Sequence, residues 1–176
     1  MLHGKATWLL SALMMYSAGV GAATREEIER FRAAQQPETV VICRGEGSLQ
    51  TGKQRITITT YARQTVLSVR DGRQRSHTEY VIAADGVLYA RYAFDMVSWL
   101  SQDAEISEID PESILISLPT DEAEASETAR FIRANGIQRL RFKDFDASHF
   151  PEWDTSPAQD DSTGTRYHCA PVRQED

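Results

Sequence analysis

The chain has 176 residues, of which 41% are hydrophobic, and it carries a formal net charge of −7. This composition supports a single globular domain with a sizeable core. An acidic chain is repelled by the phosphate backbone of a nucleic acid, so we expect no nucleic-acid partner.

The first 23 residues have the three parts of a secretory signal peptide. Lys5 supplies a cation, residues 6–20 are uncharged and mostly apolar, and the run ends with small residues. A membrane anchor is the alternative, but the apolar run is short for a bilayer span. We therefore predict a signal peptide over 1–23 and a single exported domain over 24–176, periplasmic or secreted, with no stable membrane span after cleavage.

Two cysteines, Cys43 and Cys169, lie near opposite ends of the predicted mature part. In an exported protein a lone pair of this kind is most simply a disulfide bond. A redox-active pair usually has C-x-x-C spacing, which these residues lack. The sequence therefore predicts a structural disulfide bond between them.

The segment after the signal peptide predicts a short amphipathic helix and then a buried strand. A capping box begins at Thr24, and apolar residues recur at helical spacing, so the helix is expected over 24–36. The β-branched run 40–43 is typical of a buried strand. Gly45 and Gly47 after it indicate a bend or bulge where no side chain is tolerated.

Residues 54–94 predict an antiparallel meander of four short alternating segments. Asp71-Gly72 and Asp85-Gly86 each supply the positive φ angles of a two-residue hairpin turn. A tight connection at Arg63-Gln64 is expected to separate the first two segments. In the first segment, even-numbered residues from Ile56 to Ala62 share one face, and odd-numbered residues share the other.

The second half predicts a mixture of helix and strand. It is predicted to begin with a helical turn at 95–100, a solvated acidic stretch at 102–111 and a strand at 114–118. A helix capped by Asp121 and ended by Asn135-Gly136 follows, and then a strand at 137–143. The remaining predicted elements are a surface loop at 147–164, a short strand at 167–169 and a frayed tail at 173–176. The whole chain therefore predicts an α+β fold: a curved antiparallel β-meander sheet covered by an N-terminal helix and one longer helix in the second half.

Cations are concentrated in the meander. From Lys53 to Arg91 there are seven cations and three anions, whereas from Asp95 onward there are seven cations and eighteen anions. One interpretation is an interaction face for an anionic partner, such as a lipid head group or an acidic protein patch. The alternative is that these cations pair with the acidic second half or protect exposed sheet edges. The residues of this predicted interaction face are Arg63, Arg70, Arg73 and Arg75.

Neither a metal site nor a catalytic site is predicted. The carboxylates from Asp144 onward begin like a calcium loop, but His149 and Thr155 stand where that loop needs Gly and Glu. Aromatic residues between these carboxylates instead indicate a loop packed onto a core. His77 and Glu79 share a strand face and could support acid–base chemistry, but a cross-strand hydrogen bond is the alternative. No nucleophile or zinc motif occurs, so we expect no cofactor and favour a non-catalytic protein, with enzymatic activity left open.

Six aromatic residues in or just after the meander are the predicted ligand-binding residues. Most are expected in the core or in cross-strand pairs, and some would line a cavity for an apolar ligand if the sheet curls. They are Tyr61, Tyr80, Tyr89, Tyr92, Phe94 and Trp99.

Residues 45–49 (Gly-Glu-Gly-Ser-Leu) and 80–89, which include the Asp85-Gly86 turn, resemble early strands of the periplasmic lipoprotein-carrier family of the LolA/LolB type. The resemblance covers about the first half of the mature chain. It implies a signal peptide, an N-terminal amphipathic helix and a strongly curved antiparallel sheet, and we carry over no binding residue.

The function predicted from the sequence is an exported binding protein for an apolar or amphiphilic ligand, or for an envelope partner. The second hypothesis is an envelope interaction module that uses the Arg-bearing sheet face. A secreted enzyme is the third.

Overall fold

The computed structural model describes residues 23–155 and 164–172. The predicted signal peptide up to residue 22, part of the predicted surface loop (156–163) and the predicted tail lie outside the described residues.

Strands dominate the described part of the chain, and two α-helices accompany them. The elements are α1 (Arg25–Ala34), β1 (Val40–Thr51), β2 (Gln54–Arg70), β3 (Arg73–Ala84), β4 (Val87–Leu100), β5 (Ala104–Ile109), β6 (Leu115–Leu118), α2 (Glu122–Ala134), β7 (Ile137–Arg141), β8 (Phe145–Asp146), β9 (Trp153–Thr155) and β10 (Arg166–Pro171).

All described strands belong to one antiparallel sheet with the order β7-β5-β4-β3-β2-β1-β10-β9-β8, and β6 pairs with β4. The sheet is nearly closed and barrel-like. Its two end strands, β7 and β8, are joined in the chain by a short 3-10 helix, Phe142–Asp144. The mixed α+β class is therefore confirmed, although the sheet outweighs the helices.

The meander has three long strands instead of the four short ones predicted. Residues 54–70 form one strand, and the connection expected at Arg63-Gln64 is wrong because both residues pair with β1 and with β3. Gln64 can remain inside the strand because its amide donates a hydrogen bond to Ser76 Oγ at 2.9 Å. Both predicted hairpin turns are confirmed, with φ of 50° at Asp71 and 48° at Asp85.

Three other predictions for the second half are wrong in whole or in part. Residues 95–100 continue β4 instead of forming a helical turn, and residues 104–109 form β5 instead of a solvated stretch. Ala104 has 0% exposure, and Glu105 turns inward to a partner on α1. The predicted loop 147–164 also contains a strand, β9, which pairs with β10. In each case the strand forms because a distant segment pairs with it.

Alternation along β2 divides the sheet into two faces. The inner face carries Ala62, which is 5% exposed, whereas the preceding residue, Tyr61, is 39% exposed on the outer face. This confirms the predicted odd–even division of the first segment. Cys43 and Cys169 are directly paired across β1 and β10, and their disulfide bond confirms the predicted connection.

Helix α1 covers one end of the inner face. The predicted capping box at Thr24 is present, and Phe31 packs against Trp153 and Phe150 with ring centroids 5.4 Å and 4.9 Å away. These contacts confirm that aromatics from the 145–153 region pack onto the core. Arg32 then reaches inward and forms an ion pair with Glu105 at 2.6 Å.

Helix α2 covers the other end of the inner face. Asp121 caps it as predicted, by accepting hydrogen bonds from two backbone N–H groups of the first turn. Its buried residue, Ile132, packs with Phe94 and Ile109, whereas its neighbour Phe131 is 69% exposed. Each helix thus contributes buried side chains to a separate apolar cluster on the inner side of the sheet.

Candidate functional site

Three of the six predicted ligand-binding aromatics pack against one another on the inner face. The ring centroids of Tyr80 and Tyr92 are 5.2 Å apart, and that of Phe94 is 5.7 Å from Tyr80. Burial, with the nearby Tyr167 as a smaller cause, raises the pKa of Tyr92 to about 12. Burial also raises the pKa of Tyr80, with Tyr92 and Tyr167 as lesser causes. These rings are in contact with each other, so they form part of the core.

The other three predicted aromatics lie in separate places. Tyr61 is on the outer face, Tyr89 is 69% exposed just after the second hairpin turn, and Trp99 is near the opposite end of β4. The Arg73 guanidinium lies 5.0 Å from the centre of the Trp99 ring. The structure therefore does not bring the six aromatics together into one site.

The predicted arginine face is partly engaged in contacts within the chain. Arg63 pairs across the strands with Glu79 at 3.4 Å, and Arg75 pairs with Asp95 at 2.8 Å. The guanidinium group of Arg73 lies over the ring of Trp99. Arg70 is the register partner of Arg73 next to the Asp71-Gly72 turn. Ion pairs across the strands thus hold two of the four guanidinium groups, and the ring of Trp99 holds a third.

His77 bonds to Asp95 and not to Glu79. The two atoms, His77 Nδ1 and Asp95 Oδ1, are 2.8 Å apart across β3 and β4. Partial burial pushes the pKa of Asp95 up, but hydrogen bonds from His77 and Arg75 outweigh it and lower that pKa. The arrangement is a cross-strand ionic cluster, which was the alternative to acid–base chemistry.

The acidic residues between β7 and β9 bind separate partners. Asp144 pairs with Arg141 at 3.2 Å, and Asp146 accepts a hydrogen bond from the backbone N–H of Ser148 at 3.0 Å. That backbone bond, together with the Ser148 side chain, lowers the pKa of Asp146. Within 23–155 and 164–172, no group of three or more His, Cys, Asp or Glu side chains is arranged to hold a metal ion.

A groove of about 840 Å³ runs across strands β9, β10, β1, β2 and β3. One row of register partners crosses it from β9 to β3, in the order Asp154, His168, Arg44, Tyr61 and Val81. All five lie on the outer face, opposite the side that carries Cys43 and Tyr80. We call this feature the outer-face groove.

The outer-face groove has a charged half and an apolar half. His168 Nδ1 lies 2.9 Å from Asp154 Oδ1, and His168 Nε2 lies 3.5 Å from Glu152. Within the described part of the chain, neither Arg44 nor Arg166 forms an ion pair. The other half of the groove, over β2 and β3, is uncharged, and its apolar surface comes from Tyr61, Val81 and Ala83 beside Thr59 and Thr60.

Gly45 is required where β1 crosses the groove. A Cβ atom at this position would lie 2.6 Å from the ring of Tyr167, its register partner on β10. This confirms the prediction that a side chain is not tolerated at Gly45, and it supplies the reason. The predicted bulge is wrong, because residues 45–47 pair with β2 in unbroken register. The glycine lets the tyrosine ring lie against the strand.

The groove residues Arg44, Asp154, Arg166 and His168 were not predicted as a site. The predicted disulfide contained the necessary signal, because pairing Cys43 with Cys169 in an antiparallel register places Arg44 opposite His168. The position of Asp154 depends on β9, which the sequence did not indicate.

A second groove, of about 460 Å³, lies between α1 and the β2–β3 turn. Its arginines already have partners: Arg25 binds Glu29 and the Ser101 carbonyl, and Arg32 binds Glu105. It therefore offers less space and fewer uncommitted polar groups than the outer-face groove.

Comparison with family models, with curated proteins and with solved structures gives no match for this chain. Neither helix of the described part is long and apolar enough to cross a membrane.

Proposed function

We propose that this chain is an exported, non-catalytic binding protein that holds an amphiphilic ligand in its outer-face groove. The observation that carries the proposal is the division of that groove into a charged half around Arg44 and an apolar half around Tyr61 and Val81. Its volume of about 840 Å³ is within the range of small-molecule sites. A ligand with a charged head and an apolar tail matches both halves.

The packing of the inner face supports the choice of the outer groove. The inner aromatics Tyr80, Tyr92 and Phe94 contact one another, and α1 and α2 each pack a buried apolar cluster against the inner face. A ligand on that side would have to displace core side chains, whereas the outer groove needs no such change.

Export is proposed from two independent features. The first 23 residues have signal-peptide organisation, and Cys43 and Cys169 form a disulfide bond, which persists in oxidising compartments. The resemblance to periplasmic lipoprotein carriers agrees with this location and with an amphiphilic ligand. Cell fractionation tests it: the protein is expected outside the cytoplasm and without free thiols, and reduced protein in the cytosol would contradict export.

Ligand binding is tested by calorimetric titration with a lysophospholipid below its critical micelle concentration. Tyr61→Ser removes the aromatic surface of the groove, so we expect the affinity to fall about tenfold. Tyr89→Ser is the matched control, because Tyr89 is even more exposed and does not line the groove. Equal effects of the two substitutions, or no binding by the unaltered protein, would overturn the proposal.

A further inference from the structure

The register of the sheet places charges of both signs in a set order across the outer-face groove. Asp154, His168 and Arg44 lie on three successive strands, β9, β10 and β1. Adjacent strands are about 4.8 Å apart, so the backbones that carry Asp154 and Arg44 are separated by about 10 Å. The apolar surface of Tyr61 and Val81 continues the same row beyond Arg44.

We infer that the groove selects a zwitterionic amphiphile, meaning a ligand with an amine next to an anionic group at the head of an apolar tail. This inference rests on the proposed function. The amine binds Asp154 with Asp146 beside it, the anionic group binds Arg44, and the tail lies along Tyr61 and Val81.

The spacing agrees with this head group. Asp154 and Arg44 lie two strands apart on one face, so a head group that contacts both carries its amine and its anionic group a few ångströms apart. A phosphate and an amine joined by a two-carbon link have about this separation. His168 binds only the Oδ1 atom of Asp154, so Oδ2 is left to accept a hydrogen bond from the ligand.

The remaining charges in the groove disfavour ligands of a single sign. Glu46 is on the same strand and face as Arg44, and it is the register partner of Arg166. An anionic head group would be attracted by the two arginines but repelled by the carboxylates of Glu46 and Asp154. A cationic head group would be attracted by these carboxylates but repelled by the guanidinium group of Arg44. A head group with both charges avoids both conflicts, because its potential is complementary along the whole row.

The test compares ligands with one acyl chain length, each at monomeric concentration. The zwitterion is lysophosphatidylethanolamine, the anion is lysophosphatidylglycerol and the cation is an alkyltrimethylammonium salt. We expect the unaltered protein to bind the zwitterion about tenfold more tightly than either of the others. Glycerophosphoethanolamine, which has the head without the tail, is expected to bind more weakly than the zwitterionic lipid.

Two variants separate the charges of the groove. Asp154→Asn is expected to weaken zwitterion binding about tenfold while leaving the anionic lipid unchanged or tighter, and Arg44→Gln is expected to weaken both. Arg63→Gln is the control, because Arg63 is paired with Glu79 outside the groove. Circular dichroism confirms that each variant is folded, and Asp146→Asn replaces Asp154→Asn if that variant fails to fold.

The outcomes distinguish the two proposals. Equal affinity for the three lipids, or no change in zwitterion affinity with Asp154→Asn, overturns the zwitterion inference and leaves the amphiphile groove in place. If glycerophosphoethanolamine binds as tightly as lysophosphatidylethanolamine, the groove binds a polar ligand, and the proposal of an amphiphilic ligand is overturned. Absence of binding by every ligand overturns both.

Discussion

The inner and outer faces of the central strands use tyrosine in opposite ways. On the inner face, Tyr80 and Tyr92 stack 5.2 Å apart and contact Phe94. On the outer face, Tyr61 lies between Arg44 and Val81 and remains 39% exposed. The residue type is the same, and the position along the strand decides whether the ring is part of the core or available to a ligand.

Charged pairs show the same difference between the faces. The inner pair, Arg32 and Glu105, has side chains only 12% and 24% exposed, whereas the outer pair, Arg63 and Glu79, has side chains 46% and 39% exposed. Removing the partner of a charge that is buried away from water costs several kcal/mol of stability, whereas removing the partner of a charge that remains in water costs little. We therefore expect changes on the inner face to alter stability and changes on the outer face to alter binding.

The largest expected effect comes from the disulfide bond on the inner face. Replacing both Cys43 and Cys169 by Ala releases a loop with a sequence separation of 126 residues. The chain-entropy model gives a loss of about 5 kcal/mol in the free energy of unfolding. Urea denaturation measures it, with reduced unaltered protein as the control. A loss below about 1 kcal/mol would show that the unfolded chain is already compact.

The inner ion pair gives the next largest effect. Arg32→Ala leaves the Glu105 carboxylate partly buried without its partner, so we expect a loss of about 3 kcal/mol. Arg63→Ala, on the outer face, is the matched control and should cost less than about 0.5 kcal/mol. Equal losses in urea denaturation would contradict the comparison.

The same pair predicts a pH dependence. Burial raises the pKa of Glu105 above its usual value, although Arg32 opposes this. A raised pKa in the folded state makes the protein more stable where Glu105 is protonated and less stable as the pH rises through that pKa. Loss of Arg32 should enlarge this effect, so Arg32→Ala should regain part of its stability in acid, and a pH series of unfolding curves measures it.

The buried tyrosines predict a loss of stability in alkali. The pKa of Tyr92 rises from its ordinary value of 10.0 to about 12 in the folded protein. The unfolded chain therefore loses this proton first, and stability falls as the pH rises from about 10 to 12, by roughly 2–3 kcal/mol. Tyr92→Phe should flatten this part of the curve. An unchanged curve would show that Tyr92 ionises in the folded state without cost.

The smallest effect on stability is expected at the groove. Tyr61→Ala removes an exposed side chain, so the free energy of unfolding should change by less than about 0.5 kcal/mol. Tyr80→Ala, the inner counterpart, should cost several kcal/mol because its ring contacts two other aromatics. Similar losses from both substitutions would show that the outer ring is also part of the packing.

Local features of the fold could be predicted from the order of residues alone. The Asp-Gly turns, the capping box at Thr24, the Asp121 cap and the odd–even faces of β2 were predicted correctly. Each depends on residues within a few positions of one another, where backbone preference and hydrogen bonding decide the conformation. The disulfide was also predictable, because the chain contains only two cysteines.

The long strands and the groove depend instead on pairing between distant segments. Strands form at 95–100 and 104–109 because β3, β4, β5 and β7 pair side by side. The charge of Glu105 is tolerated on the inner face because Arg32 reaches it from α1 and forms an ion pair. The groove exists because β10 lies between β1 and β9, which brings Arg44, His168 and Asp154 from distant parts of the chain onto one row. Such pairing gains its free energy only when the sheet assembles, so no local pattern carries that information.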